Sequence, residues 1–177
     1  MRLTVERAID SADLAEFYAM YAAAFAPMRS RAAARHMLTE AEFAEEMADK
    51  RIEKYVVRAD DGEPLALTTF TDDLTAVAWI SPAFYAQRYP GHTARNAVFY
   101  LGYTLVRPGR PAHRAARLML DEIVRRLTAE RAVCVFDVSA YNDRRAVGRF
   151  AALLRRRGAA TLEAVDTQTY YGMRFGG

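Results

Sequence analysis

The stretch Gly102–Leu120, GYTLVRPGRPAHRAARLML, joins the end of an apolar strand to a turn crowded with arginine and proline, and then to a helical pattern. Upstream of the turn, Asn96 to Val106 reads as one buried strand, with Gly102 inside it as at a bulge or where a ligand comes close. Downstream, Ala116, Leu120, Ile123 and Leu127 form an apolar stripe on a helix from Ala112 to Ala129, with Met119 and Val124 beside it. Arg117, Asp121, Arg125 and Arg126 fall on other faces. The run AVCVFDVSA then reads as a second buried strand, so the unit predicts a crossover between two parallel strands.

Outward from this unit the pattern is mixed. Residues 2–7 alternate as a first strand, and Ser11 caps a helix carrying Leu14, Phe17, Tyr18, Tyr21 and Phe25. Thr39 and Glu42 have capping-box spacing before a short helix that runs through roughly Asp49. Tyr55–Val57, the Asp61-Gly62 turn and Leu65–Thr71 make a hairpin, and Leu74–Ile80 is a candidate further strand. Ser81-Pro82 opens a helical turn. Asp143–Arg157 is a last amphipathic helix closed by Gly158, and Thr161–Phe175 supplies one or two closing strands. The expected fold class is α/β (α+β): a mixed, mostly antiparallel sheet flanked by helices, in a single domain over residues 1–177.

Composition narrows the function classes. With 52% apolar and 27% charged residues the chain is globular. A net charge of +3 is low for a nucleic-acid-binding domain. Cys134 is the sole cysteine and lies in an apolar run, so it reads as a buried thiol, and no internal disulfide forms. No signal peptide or membrane span is legible, and the expectation is a soluble cytoplasmic protein with no membrane partner. His36 and His92 are isolated, and no metal site is expected.

The basic turn admits three readings: a pocket for a phosphate on a small molecule, a contact with a nucleic-acid backbone, or a solvated loop. A helix start after a strand offers unpaired N–H groups and the positive end of its dipole. Pro111 loses no useful donor there, Ala112, Ala115 and Ala116 allow close approach, and Arg107, Arg110 and Arg114 add charge. RPGRP approaches the core of an AT-hook, but such hooks lie in flexible basic segments. This one is wedged between a core strand and a core helix, which disfavours nucleic acid.

Arg110-Pro111-Ala112-His113-Arg114-Ala115 resembles the pyrophosphate loop, Q/R-x-x-G-x-G/A, of the GNAT superfamily of acyl-CoA-dependent N-acyltransferases, with His113 in place of the middle glycine. The element order supports the likeness over nearly the whole chain. Asn142 and Gly158 also match, whereas the family's helix tyrosine is replaced by Leu154. The resemblance implies acetyl-CoA or another acyl-CoA as cosubstrate and a small-molecule or peptide amine as acceptor. It places cofactor contacts at Leu105, Val106, Arg110, His113, Arg114, Ala115, Ala116 and Asn142. A homodimer is compatible with it. A GNAT-fold module that binds acyl-CoA without turnover is the second reading, and a nucleic-acid-binding protein the third.

The implied reaction calls for a base, an oxyanion donor and an acid for the thiolate. Backbone N–H groups near Gly102–Val106 are the oxyanion candidates. For the base, Asn96–Val106 holds no carboxylate, which leaves Asp72, Asp73, Glu53 or a water chain. For the acid, Tyr141 and Tyr103 are the candidates. Tyr18, Tyr21, Phe25, Phe84, Tyr85 and Tyr89 would wall an acceptor cleft, suiting a partly apolar or aromatic acceptor better than a polycation.

Overall fold

A computed structural model of the chain describes residues 1–33, 37–109, 112–144, 148, 152, 154 and 161–175. Five strands form one sheet in chain order: β1 (Arg2–Glu6), β2 (Glu53–Arg58), β3 (Pro64–Thr71), β4 (Val98–Val106) and β5 (Val133–Val135). Neighbours through β4 pair antiparallel, while β4 and β5 pair parallel. The helix α5 (Ala112–Ala129) makes the crossover between those two strands. The fold is therefore a mixed, mostly antiparallel sheet with one parallel crossover, as the pattern around Gly102–Leu120 requires.

Strand periodicity sorts the core into two layers. Tyr55, Val57, Phe70, Phe99 and Leu101 meet Ala115, Met119 and Ile123 of α5. On the other face Val56, Leu67 and Leu105 meet the helices α1 (Ser11–Phe25) and α2 (Glu40–Ala48) through Phe17, Tyr21, Phe43 and Met47. Arg126 of α5 does not simply face solvent. Its guanidinium lies over Phe99 and Phe70, 4.9 and 5.6 Å from the ring centroids, donates to Tyr55 Oη at 3.0 Å and pairs with Glu53. That ion pair absorbs Glu53, one of the candidate bases.

On β4 the inside-outside alternation changes phase. Phe99 and Leu101 belong to the α5 layer, yet Tyr103 and Leu105 pack on the α1/α2 side. The register explains it: Thr68 pairs with Thr104 and Phe70 with Leu101, so Gly102 and Tyr103 together oppose Thr69. This is a β-bulge, at the glycine that predicts one. The Thr68 hydroxyl donates to the Tyr103 carbonyl at 3.0 Å, satisfying an acceptor that the interrupted ladder leaves over.

Local signals hold in several places. The Thr39/Glu42 capping box forms, Ser81 caps α3 (Pro82–Arg88), and Gly62 turns the β2–β3 hairpin at φ 95°. A four-residue α4 (Pro90–Thr93) follows α3. Elsewhere the structure departs from expectation. Asp10, not Ser11, caps α1, accepting from Ala12 N–H at 2.9 Å. Leu74–Ala76 is a 3₁₀ turn rather than a strand, because Asp73 accepts from the Thr75 N–H and holds the chain bent. Residues 161–175 form no strand, although β1 and β5 are the edges of the described sheet: alternation alone does not make a strand pair. Most of the expected last helix lies outside the described residues, as do His36, Arg110, Pro111 and Gly158. Among the described residues no helix is long and apolar enough to cross a membrane.

A Cβ on Gly102 would stand 2.1 Å from Thr69 Oγ1 but 3.4 Å from Thr69 Cβ. Gly102→Ala is therefore expected to cost about 1–3 kcal/mol through overpacking. Thr69→Ala in the same chain should restore most of that loss. Denaturant midpoints of the four proteins in this cycle check it, and purely additive losses would mean that Thr69 is not what keeps residue 102 bare.

Candidate functional site

β4 and β5 stay together for only a short run. Val98 pairs with Val133, Phe99 with Cys134 and Tyr100 with Val135, after which β5 ends and β4 continues to Val106. The Leu101 backbone still meets the Cys134 sulfur, and from Gly102 onward, where the bulge begins, β4 has no partner on that side among the described strands. Cys134 lies behind this point, and burial pushes its thiol up to about 12, so it is no nucleophile.

On the α2 side of the bulge a cavity of about 260 Å³ opens. Its floor is Thr69, Phe70, Gly102 and Tyr103, and one wall is the face of α2 bearing Glu42, Glu45, Glu46 and Asp49. Two of these acids are occupied: Glu42 accepts from Thr39, and Asp49 pairs with Arg51 at 2.6 Å. Glu46 differs. Burial raises its carboxyl from the ordinary 4.5 to about 7, against the opposing pull of the Thr69 hydroxyl, the Lys54 ammonium and the Tyr103 hydroxyl. The Tyr103 hydroxyl is itself buried and among the described residues meets no partner at hydrogen-bonding geometry, although Glu46 stands close enough to act on it. Burial, with the Glu46 charge, holds that phenol well above its ordinary range, so it stays protonated.

Behind Glu46, Lys54 is fully buried, its ammonium donating to the carbonyls of Asp49 at 2.6 Å, Ile52 at 2.8 Å and Arg7 at 3.3 Å. Burial lowers it to about 8, countered by Glu46 and Asp49. Opposite α2, Trp79 is 59% exposed, yet its indole N–H donates to Tyr100 Oη at 2.9 Å and Asp137 Oδ1 at 3.2 Å. Tyr100 in turn donates to Asp137. The indole is held at the cavity rim.

The residues singled out in the sequence fall in different places. Tyr103 lines the cavity beside Glu46. Asp72 does not: it is exposed on a separate hollow with Leu74, Pro82 and Asn96, and Asp73 is spent capping the 3₁₀ turn. Tyr141 lies on α6 (Ala140–Asn142), just past β5, where Arg31 donates to its hydroxyl at 3.0 Å and stacks 5.2 Å from its ring. Ser139, rather than Asn142, caps that turn and accepts the Asn142 N–H at 3.3 Å. Leu105 is buried in the core and Val106 packs at its margin, so both offer backbone only. At the α5 start His113 and Arg114 are exposed and Ala116 is half-buried, but Ala115 is a core residue packed in the α5 layer. Arg107 is tied to Glu16 and to Glu63, the latter at 3.4 Å, which removes it from the basic turn. Arg110 lies outside the described residues. Of the expected aromatic wall, Tyr21 and Phe25 meet Tyr103 edge-on in the core, and Tyr85 and Tyr89 pack beneath the rim.

Glu46 and Trp79 were not picked out by sequence reasoning. Glu46 looks like one more solvated helix acid, and only the fold buries it. The faint signal was the acidic face at i, i+3, i+4 and i+7 on α2, which a purely solvated helix does not need.

No family model and no curated protein matches the sequence. Solved structures do. A tetramutant of the BH1408 protein from Bacillus halodurans superposes with a TM-score of 0.59 at 13% identity, over 98% of this chain and 100% of that one. The ribosomal-protein-alanine N-acetyltransferase from Brucella melitensis biovar Abortus 2308 gives 0.52 at 13% identity, covering 100% of both chains. A proposed acetyltransferase from Agrobacterium tumefaciens str. C58 gives 0.55 at 14% identity, over 96% of this chain and 100% of that one. At such identities the likeness is one of fold. The bulged β4, its parting from β5 and the parallel crossover through α5 agree with it, and this chain has the fold of the GNAT-type acetyltransferases.

Proposed function

We propose that the protein is an acyl-CoA-dependent N-acyltransferase in which Glu46 is the general base. The observation that carries this reading is Glu46 itself: a carboxyl tuned to about 7, in a cavity that opens on the bulge where β4 leaves β5. A base is most effective when it titrates near the working pH. Glu46 also fills the role for which Asn96–Val106 has no residue.

The fit to acyl-CoA rests on two features. Released β4 backbone from Gly102 to Val106 suits an extended amide-bearing arm, and the α5 start, with His113 and Arg114 exposed, suits a pyrophosphate. Bound acyl-CoA supplies an acyl thioester, whose C–S bond breaks as the amine nitrogen forms the new C–N bond, coenzyme A leaving as thiolate. The chain handles the protons. Glu46 accepts one from the incoming ammonium, turning it into a nucleophile, and the second ends on the thiolate. Tyr141, held by Arg31 just past β5, is the proposed donor for that second transfer. Backbone N–H groups freed at the bulge steady the negative charge that builds on the carbonyl oxygen.

The test is acetyl transfer to a panel of amines, followed by release of free thiol. The rate constant should rise with pH and level off above about 7, because the deprotonated carboxylate is the active form. Glu46→Gln should lower kcat at least about 10²-fold and abolish that inflection. Absence of thiol release with every amine would overturn the reading. For the cosubstrate, Arg114→Ala should weaken coenzyme A binding about tenfold by calorimetry, the effect of losing one charge-assisted contact.

Burying Glu46 also has a thermodynamic sign. Its folded value lies above its ordinary 4.5, so the protonated form favours folding. Its contribution is complete below about 4.5 and is lost as pH rises through about 7, on the order of 3 kcal/mol in all. Glu46→Gln removes this slope. The variant should melt about 5 °C or more above wild type at pH 8 and close to it at pH 4.5, by scanning calorimetry.

A further inference from the structure

The chemistry of the cavity says what kind of amine it takes; this step rests on the acyltransferase reading above. Among the described residues its charged lining side chains are all acids, Glu42, Glu45, Glu46 and Asp49. Its neutral donors are largely occupied: Thr71 donates to the Arg51 carbonyl at 2.8 Å, Tyr100 to Asp137, and the Trp79 N–H to Tyr100 and Asp137. Among the described residues, what remains at the floor is the Glu46 carboxylate beside the buried Tyr103 hydroxyl, which lies close to it but makes no hydrogen bond of good geometry. Such a lining satisfies a group that brings N–H donors and a positive charge, and leaves carbonyl or carboxylate acceptors on a ligand unpaired.

The far side of the cavity is a different surface. The Trp79 indole is exposed on a ring fixed through its N–H and set edge-on to Tyr100, with centroids 6.1 Å apart. An immobile exposed indole beside Val77 and Ala78 offers a flat apolar platform whose ordering cost is already met. A volume of about 260 Å³ fits a small molecule rather than a folded partner.

We infer that the acceptor is a small monocationic arylalkylamine, its ammonium between Glu46 and the Tyr103 hydroxyl and its ring against Trp79. A polyamine would need a second buried, uncommitted carboxylate in the cavity: Glu42 accepts from Thr39, Asp49 is held by Arg51, and Glu45 is exposed to solvent. A peptide N-terminus would bring carbonyls that the lining has few donors to meet.

Trp79 is the only tryptophan, so fluorescence excited at 295 nm reports on this cavity alone. The full-length protein is titrated with 2-phenylethylamine, 2-phenylethanol, phenylacetate, butylamine, spermidine and an alanyl tripeptide. The amine should give a saturable change at least tenfold tighter than the alcohol, with no binding of the acid. By calorimetry, Trp79→Leu should weaken 2-phenylethylamine at least fivefold and butylamine less than twofold, and Trp79→Phe should recover most of the difference. Equal affinity for the alcohol, tighter binding of spermidine or tripeptide, or indifference of 2-phenylethylamine to Trp79→Leu would overturn the inference. Thiol release measured in parallel separates the two ideas. Turnover confined to spermidine or peptide sinks the arylalkylamine and leaves the acyltransferase standing. Selective binding of 2-phenylethylamine with no turnover of any amine does the reverse.

Discussion

The architecture around the cavity hangs on the close approach of Thr69 to residue 102. Any side chain at Gly102 would occupy the space of the Thr69 hydroxyl. With none there, β4 fits an extra residue against β3, and the strand changes phase. Phe99 and Leu101 can then serve the α5 layer while Tyr103 and Leu105 serve the α1/α2 layer. One glycine thereby re-aims Tyr103 toward Glu46. The parting of β4 from β5 begins at the same point, so backbone groups and the tuned carboxyl come to neighbouring places for a single reason.

That arrangement is held against an electrostatic cost. Glu46 and Lys54 are both drawn out of water, and burial moves each toward its neutral form, the acid upward and the amine downward. The Lys54 charge is tolerated because three backbone carbonyls near the end of α2 solvate it. Among the described residues Glu46 has only the Thr69 and Tyr103 hydroxyls and the Lys54 charge to set against its burial. A carboxyl left incompletely satisfied in a cavity is a poor contributor to stability and a good proton acceptor, and the two properties have one cause. Sites of this kind tend to hold strain that the rest of the core offsets.

The opposite layer shows a half-buried charge used for stability instead. Arg126 meets Glu130 through Nε and Glu53 and Tyr55 through Nη1, and its flat face rests on Phe99 and Phe70. It closes the α5 core much as an apolar residue would, with the stem buried and the guanidinium paired. The same sheet therefore carries an ion-paired guanidinium on one face and, on the other, a carboxyl on which burial outweighs its partners.

Sequence pattern determined most of the sheet-and-helix order, the parallel crossover, the capping box at Thr39 and the hairpin at Gly62, and a lone strand glycine marked the bulge that the approach of Thr69 requires. Turn chemistry misled at Leu74–Ile80, where an apolar run looked like a strand until Asp73 bent it. The site was far less legible. Asp72 is a carboxylate near a strand end, as a base should be, but the 3₁₀ turn carries it to another hollow. Arg107 belongs to a basic turn by sequence and to Glu16 and Glu63 by structure. Glu46 is the converse: nothing within its own helix distinguishes it from Glu45, since burial, the nearness of Lys54 and the Tyr103 hydroxyl all arrive from strands that follow it in the chain. Local sequence fixes which backbone forms where. A carboxyl's proton affinity is set by how much water and which charges surround it, and only the packing of α2 onto the bulged sheet decides that.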